Sequence, residues 1–242
     1  MRFAICLVVV TTAFLPGLTH AKEGDGTTVL FDGSSMDDWK GDPKFWSLQD
    51  GAITGITTED NATKGNTFCV YQHEVAGDFE LTFDYRIEGH NSGVQYRSFV
   101  LNDGADPYRI GGYQADFDAA LQWAGTLYGE QFRGILAKRG EKSVLTGTEK
   151  KGKQKKEVII REVEELGDPA ELAKSIKAYP EWNSFRVVAK GYHLQHYING
   201  TLMIDCVDND EANRRDKGLI ALQLHQGPPM KVQMKNVKLI KK

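Results

Sequence analysis

Apolar and polar residues alternate with a period of two along most of the chain. From Phe79 to Ile87, apolar residues alternate with Glu, Thr, Asp and Arg, as in a strand with one buried and one exposed face. The same pattern runs from Phe185 to Ala189 and, after a turn at Gly191, from Leu194 to Ile198. These segments predict neighbouring antiparallel strands.

Turn signals separate the predicted strands. Asp50-Gly51 and Asn199-Gly200 each lie between two strand-like segments, which is the sequence signal of a type I′ hairpin. Gln226-Gly227-Pro228-Pro229 separates the last two strands, Leu219 to Leu224 and Lys231 to Ile240, and no helix crosses such a turn. Many short strands with regular turns predict an all-β fold, a two-sheet antiparallel sandwich.

The segment 138–179 departs from this pattern. Five lysines fall between Lys150 and Lys156, and we interpret this run as an exposed, solvated loop. Asp168, Pro169 and Glu171 predict a short helix with Asp168 as N-cap, Pro169 in the first turn and Glu171 at the capping-box position. We therefore expect a loop and short-helix insertion around 138–179.

The first residues are typical of a cleavable export signal. Arg2 precedes an apolar run from Phe3 to Leu15, and small residues lead to Ala21 before the charged Lys22. The run is shorter than the roughly 20 residues that cross a bilayer. We expect cleavage after Ala21, leaving residues 22–242 as one domain, free of the membrane, in the periplasm or outside the cell.

Charge and cysteine content limit the binding partners and covalent links that we expect. The formal net charge is -3 with 26% charged residues, so no positive field attracts nucleic acid or an acidic membrane. Cys69 and Cys206 both lie in strand-like segments, where two buried thiols and one disulfide are equally compatible with an oxidising compartment.

Polar residues that could carry chemistry occur in three clusters and near the last turn. In Asn91–Arg97, alternation places Gly93, Gln95 and Arg97 on one face, and the glycine could admit a ligand. The other candidates are Gln114 and Asp116 in the second cluster, Tyr128, Glu130 and Arg133 in the third, and Gln223 and His225 before the Gly-Pro-Pro turn. An exposed sheet face with ordinary surface charges is the alternative interpretation.

Missing motifs exclude several classes of enzyme. The sequence has no glycine-rich phosphate loop, His-Glu-x-x-His pair, zinc-type cysteine pairs or Gly-x-Ser-x-Gly elbow. Asp116 and Glu130 could supply the carboxyl pair of an ordinary glycosidase, a mechanism that depends on their separation.

An ordered set of motifs resembles the 3-keto-disaccharide hydrolase domain family from about Val29 to the end of the chain. The matching segments are Leu30-Phe31-Asp32-Gly33 with Trp39, Asn91-Ser92-Gly93, Gly112-Tyr113-Gln114-Ala115-Asp116, Glu181-Trp182-Asn183, Ile198-Asn199-Gly200, Gly218–His225 and Lys235-Asn236-Val237. The resemblance implies a concanavalin A-like jelly roll, export, and a carbohydrate site on the concave sheet. Many relatives carry a glutamate where this chain has Gly112, so the resemblance implies that its task has moved to Asp116 or Glu130.

The resemblance also implies a mechanism in which a C3 ketone acidifies the C2 proton of a sugar. His225 or Glu130 is then the expected base, Arg97 and Gln114 donate to the ketone and enolate oxygen, and Asp116 orients a hydroxyl. Tyr128 or Trp182 would stack on the sugar, and the remaining expected contacts come from Asn91, Gln95, Arg133 and Gln223.

Two other functions fit the same sequence. A lectin-like binding module would use the same sandwich without catalysis, because fold does not determine function. An interaction protein of the cell envelope would use the polar face to contact another protein. No cofactor is expected; calcium is an alternative, with Asp205, Asp208, Asn209 and Asp210 as the only acidic cluster of suitable residue types, although a polar loop is the preferred interpretation.

Overall fold

The structure is a computed structural model that describes residues 26–101, 107–151 and 156–242. The expected signal peptide and most of the lysine run lie outside the described residues. In chain order the elements are β1 (Thr27–Phe31), β2 (Trp39–Lys40), β3 (Trp46–Gln49), β4 (Ala52–Thr57), β5 (Thr67–Tyr71), β6 (Val75–Ala76), β7 (Phe79–Glu88), β8 (Asn91–Val100), β9 (Ile110–Asp118), β10 (Leu127–Glu130), β11 (Gly134–Ala137), β12 (Glu141–Lys151), β13 (Lys156–Glu165), α1 (Pro169–Ala173), β14 (Asn183–Lys190), β15 (His193–Ile198), β16 (Thr201–Asp208), β17 (Lys217–Leu224) and β18 (Met230–Lys241).

The strands form two sheets, which confirms the predicted all-β sandwich. The ten-stranded sheet has the order β13-β12-β16-β15-β14-β7-β18-β4-β3, with β1 also paired to β18. The eight-stranded sheet has the order β11-β10-β9-β8-β17-β5-β2, with β6 also paired to β17. The described pairings are antiparallel except that between β12 and β16, which is parallel.

Aromatic side chains join the two sheets. The period-two residues of β7 alternate between buried and partly exposed along the whole strand. Tyr85 of β7 stacks across the core on Phe117 of β9 in the other sheet, with ring centroids 4.0 Å apart. Phe83 stacks on Phe185 of the neighbouring strand β14, within the ten-stranded sheet, at 5.2 Å. Each buried aromatic ring contributes about 1.5–3 kcal/mol of hydrophobic stabilisation. The inner faces of the sheets therefore hold the core, and functional polar groups are left to the outer faces.

Both predicted type I′ turns are present. Asp50 and Gly51 have φ values of 52° and 69°, and Asn199 and Gly200 have values of 49° and 81°. These positive values are what the type I′ turn requires. Gln49 pairs with Ala52 and Ile198 with Thr201 directly beside the turns.

The segment 138–179 is more regular than predicted. It contains the long hairpin β12–β13, and β12 extends the ten-stranded sheet through its parallel pairing with β16. The short helix is confirmed: Asp168 Oδ1 accepts hydrogen bonds from the backbone N–H groups of Ala170 and Glu171 at 2.7 and 3.0 Å. The Glu171 side chain contacts Lys174 instead of returning to the N-cap, so only half of the capping box forms.

Two further observations concern cysteines and membranes. Cys69 lies in the eight-stranded sheet and Cys206 in the ten-stranded sheet, and both are buried free thiols.

Within residues 26–101, 107–151 and 156–242, no helix has the length and apolar character needed to cross a membrane.

Candidate functional site

A cleft of about 530 Å³ lies on the outer face of the eight-stranded sheet. Four adjacent strands, β10, β9, β8 and β17, contribute polar side chains to it. Of the predicted site residues, the cleft brings together Asn91, Gln114, Asp116, Tyr128, Glu130, Gln223 and His225. Volumes of several hundred cubic ångströms are typical of small-molecule sites.

A hydrogen-bonded set of side chains forms the floor of the cleft and the layer directly beneath it. We call it the amide–carboxyl network: Gln95, Gln114, Asp116, Glu130 and Gln223. Gln114 Oε1 accepts from Gln95 Nε2 at 2.7 Å and from Gln223 Nε2 at 3.1 Å. Gln114 Nε2 donates to Asp116 Oδ1 at 2.7 Å. Gln223 Nε2 also approaches Glu130 Oε2 at 3.4 Å. Neutral amides therefore connect the two carboxyl groups.

Gln95 does not line the cleft, although it was predicted to bind substrate. Its side chain is fully buried, and its Oε1 accepts a hydrogen bond from Ser98 Oγ at 2.6 Å. In this arrangement the Gln95 amide nitrogen is directed at Gln114. Gln95 is therefore a supporting residue beneath the floor.

Gly93 makes the amide contacts sterically feasible. A Cβ at this position would lie 2.6 Å from Gln114 Cγ. Gln114 belongs to β9 and Gln223 to β17, on either side of β8, so the missing side chain lets the two amides meet across the intervening strand. The sequence interpretation assigned this space to a ligand, but the structure fills it with Gln114.

Glu130 lies directly opposite Gly112 in the pairing of β10 with β9. Gly112 has a φ of 142°, and a Cβ there would lie 2.7 Å from Ser98 Cα, so a glutamate at position 112 would be strained and crowded. Glu130 accepts a hydrogen bond from Asn66 Nδ2 at 3.0 Å. Strand β10, through Glu130, therefore supplies a carboxyl group next to position 112, where β9 has a glycine.

Both cleft carboxyl groups hold protons more tightly than usual. Burial raises the pKa of Asp116 well above its ordinary value; the Gln114 amide opposes this, and the charges of Glu130 and Asp118 add to it. Burial also raises the pKa of Glu130, opposed by the Asn66 hydrogen bond and by His225. Buried carboxyl groups with raised pKa values in a cleft are typical of functional sites.

His225 is positioned by a backbone carbonyl. Its Nδ1 lies 2.6 Å from the carbonyl oxygen of Gln226, and a carbonyl only accepts, so Nδ1 carries the proton. In the neutral ring Nε2 is then the basic nitrogen. His90 Nε2 contacts the same carbonyl at 3.0 Å, and the two rings are 4.6 Å apart. The cleft therefore contains a candidate base of defined tautomer.

One wall of the cleft was missed by sequence reasoning. Asp118 accepts hydrogen bonds from the backbone N–H groups of Gln122, Trp123 and Ala124 at 2.8 to 2.9 Å. This holds the loop after β9 so that Trp123 lines the cleft. The sequence signal is an aspartate shortly before a tryptophan in a turn segment, which is too common to single out.

Arg97 is not at the cleft, and the donor role predicted for it does not suit its position. A bulge in β8 between Tyr96 and Phe99 breaks the alternation, and Arg97 has a φ of 48°. Its guanidinium donates to the carbonyl oxygens of Gly77, Gly191 and Arg215 at 2.7 to 3.1 Å. The bulge therefore turns this side chain away from the face shared by Gly93 and Gln95.

Arg133 belongs to a second group of buried polar residues, which we call the arginine cluster: Tyr113, Arg133, Asp208 and Asp210. Arg133 forms ion pairs with Asp208 and Asp210, and Tyr113 donates to Asp208. Although burial acts in the opposite direction, hydrogen bonds from Asn213 and Thr148 and the charge of Arg133 lower the pKa of Asp210. Arg133 therefore stabilises the fold and does not line the cleft.

Trp182 also lies elsewhere. It packs between Arg86 and Lys235, whose cationic groups are 4.5 and 4.2 Å from its ring, against the ten-stranded sheet. Trp123 and Tyr128 are the aromatic residues in the cleft wall.

The acidic segment considered for calcium has protein partners. Asp205 contacts His193 and Gln195, while Asp208 and Asp210 belong to the arginine cluster. In the part of the chain that the structure describes, no three His, Cys, Asp or Glu side chains are grouped so that they could hold a metal ion.

Comparison with solved structures identifies the same type of sandwich. A Parabacteroides distasonis protein provisionally described as a glycosyl hydrolase has 20% identity and a TM-score of 0.56, covering 93% of this chain and 98% of that one. Carbohydrate-binding module CBM66 from Bacillus subtilis has 14% identity and a TM-score of 0.50, with coverages of 83% and 94%. The Bacillus licheniformis β-glucanase has 9% identity and a TM-score of 0.50, with coverages of 91% and 100%. At these identities the similarities establish the fold alone, and they agree with the predicted jelly roll.

No curated protein matches the sequence significantly. Residues 26–240 match the family described as the 3-keto-alpha-glucoside-1,2-lyase-like domain. The match spans almost the whole described chain and agrees with the family that the ordered motifs predict. This protein therefore belongs to the 3-keto-alpha-glucoside-1,2-lyase-like domain family, a family of carbohydrate-active domains.

Proposed function

We propose that this protein cleaves the glycosidic bond of 3-keto sugars by elimination, followed by addition of water. The observation that carries the proposal is the single cleft in which a histidine with a basic Nε2, two carboxyl groups with raised pKa values and two buried amides converge. Membership of the lyase-like family supports the same chemistry.

The reaction begins at C2 of the sugar. A ketone at C3 acidifies the C2 proton, which His225 Nε2 removes to give an enolate. The enolate electrons then form the C1–C2 double bond while the C1–O bond breaks, and the departing oxygen takes a proton. Water can add to C1 afterwards, with return of a proton to C2. A positioned base typically contributes about 10² to 10⁴ in rate.

Asp116 can act as the acid of this reaction, and the side-chain amides of Gln114 and Gln223 can act as hydrogen-bond donors. Because its pKa is raised, Asp116 is a neutral acid over more of the pH range than an ordinary aspartate, and it can donate a proton to the departing oxygen. Gln114 and Gln223 line the same floor. Each has one amide N–H whose partner in the network is 3.4 Å away, and this weakly bonded N–H can donate to the enolate oxygen instead, a contribution of about 10² to 10³ each. Trp123 and Tyr128 offer flat surfaces for a sugar ring.

The arrangement favours elimination over the ordinary two-carboxylate mechanism. That mechanism needs an open gap of about 5 to 9.5 Å between its carboxyl groups, where the glycosidic bond sits. Here the amides of Gln114 and Gln223 lie between Asp116 and Glu130. A mechanism that divides base and acid between His225 and Asp116 makes better use of this floor.

The test is to incubate the purified protein with 3-keto-disaccharides and with their unoxidised parents in heavy water, following products by NMR. The proposal expects cleavage of the keto sugars alone, with deuterium at C2. Cleavage of both sugars without exchange would contradict it in favour of an ordinary glycosidase. Binding shifts without product would indicate a lectin-like module, and the absence of both would indicate an envelope interaction protein.

We also propose that the protein is exported, with cleavage after Ala21. The support is the charged start, the short apolar run and the small residues before Lys22. Mass spectrometry of the protein recovered from the periplasm or medium should give an N-terminus at Lys22. Recovery of the intact N-terminus from the cytoplasm would contradict export.

A further inference from the structure

One edge of the ten-stranded sheet differs from all others in the described chain. Strand β13, at the end of that sheet, has ten residues. The other strands at sheet edges, β1, β2, β3, β6 and β11, have five residues or fewer. Short edge strands are a common protection against pairing with another chain, because they leave few backbone groups free. Strand β13 lacks this protection.

The same strand exposes apolar side chains. Val158, Ile160 and Val163 are 36%, 44% and 47% exposed, and they are half of the six large apolar residues with high exposure in the described chain. Alternation places Val158 and Ile160 on one face of the strand and Val163 on the other. An extended partner lying along β13 would therefore cover apolar surface on both faces while satisfying backbone groups.

Negative charge is concentrated at one end of the strand. β13 begins with Lys156 and Glu157, whose charges cancel, whereas Glu162, Glu164 and Glu165 occupy its end. An antiparallel second copy would place Lys156 beside the glutamate-rich end of the first copy, twice by symmetry, and would keep the two glutamate-rich ends apart. A parallel copy would place like charges together, which destabilises a strand pair.

We propose that β13 is the interface of a symmetric dimer of this protein, formed by antiparallel pairing of β13 with its counterpart in a second copy. Alignment about Ile160 places this residue opposite its counterpart and Lys156 opposite the second Glu164, with opposed residues on the same face. A twofold pairing uses both copies of the edge, so the assembly closes at two chains. The cleft belongs to the other sheet and remains open.

The experiment is sedimentation velocity of the purified full chain over a range of concentrations, comparing wild type with Ile160→Lys and Val100→Lys. Val100 is the matched control because it is 45% exposed at the end of β8 in the other sheet. We expect wild type to dimerise, Ile160→Lys to raise the dissociation constant at least about tenfold by placing two lysines opposite each other, and Val100→Lys to leave it within about twofold.

A charge variant separates this interface from a general loss of folding. Glu162→Lys should also weaken the dimer, and it should reduce the effect of salt, because an attraction between position 162 and the diagonal Lys156 of the second copy is replaced by repulsion while the Lys156–Glu164 attraction remains. Circular dichroism should give the same spectrum for all variants. Hydrogen exchange should show β13 amides that become protected as wild-type concentration rises.

A wild type that stays monomeric at every concentration would overturn the proposal. A dimer unaffected by both Ile160→Lys and Glu162→Lys, or assembly into species larger than two chains, would overturn it equally. If Ile160→Lys does not fold, Glu162→Lys with its salt response decides the result.

Discussion

The amide–carboxyl network and the arginine cluster both bury two carboxyl groups, but they surround them with different partners. In the arginine cluster, Arg133 supplies a positive charge and the pKa of Asp210 is lowered. In the network, neutral amides are the hydrogen-bond partners, and the pKa values of Asp116 and Glu130 are raised. A buried carboxyl group matched by a cation stays ionised and depends on that cation, whereas one bonded to neutral amides keeps its proton to higher pH and can serve as an acid.

Replacing the histidine beside the network should have the largest effect. We expect His225→Ala to lower turnover of a 3-keto-disaccharide about 10²- to 10⁴-fold, because Nε2 is the base that removes the C2 proton. The measurement is kcat with the folded fraction determined by circular dichroism. His193→Ala is the matched control, since His193 pairs with Asp205 in the ten-stranded sheet, away from the cleft. Equal turnover in both variants would leave the cleft without a demonstrated base.

Removing the cation from the arginine cluster should chiefly reduce stability. We expect Arg133→Met to lower the free energy of unfolding by about 3 to 5 kcal/mol, because Asp208 and Asp210 would remain buried without their partner. Urea unfolding measures this, and turnover per folded molecule should change little. A large loss of turnover at unchanged stability would restore the substrate-binding role first predicted for Arg133.

Disturbing the geometry of the network should have an intermediate effect. We expect Gly93→Ala to lower the free energy of unfolding by about 1 to 3 kcal/mol, because the new Cβ would overlap Gln114 Cγ. Turnover should fall as well, since Gln114 would lose its contact with Gln223. The control is Ala76→Gly, which exchanges the same two residue types at an exposed position away from the cleft. Gly77→Ala would not serve, because Gly77 has a positive φ. Full turnover in Gly93→Ala would show that this contact is not needed.

The smallest expected effects are on how the free energy of unfolding depends on pH, and they differ between the network and the arginine cluster. The raised folded pKa of Asp116 stabilises the fold below its unfolded pKa of about 4, and this contribution is lost as pH rises through the folded value. Asp116→Asn should therefore gain stability relative to wild type as pH increases from 4 to 8. Asp210, with a lowered pKa, contributes above about pH 4 and loses this contribution as pH falls through its folded value.

We accordingly expect Asp210→Asn to lower stability by about 1 kcal/mol at pH 7, where charge-assisted hydrogen bonds are lost, and by less at pH 3. Urea unfolding at several pH values measures both variants. Parallel pH dependence in the two variants would remove the electrostatic distinction between the clusters.

The sequence predicted the framework of the site better than its details. Gln114, Asp116 and Glu130 follow strand alternation, and they reach the cleft because their strands are regular. Arg97 follows the same alternation in the sequence, but a bulge redirects it. Bulges depend on long-range strand pairing, so local period-two reasoning could not detect this one. Trp182 and Arg133 sit in connecting segments, where sequence periodicity gives no direction at all.

By itself, the sequence determined the two-sheet sandwich, its type I′ turns and its family, because alternation, turn residues and ordered motifs are local or linear signals. Tertiary structure alone decided which polar groups meet. The contact between Gln114 and Gln223 needs three strands in one order and a glycine between them. Thr148 and Arg133, which contact Asp210, come from distant segments. Asp116 bonds to Gln114 on its own strand, but the burial and the Glu130 charge that raise its pKa depend on the folded sheet.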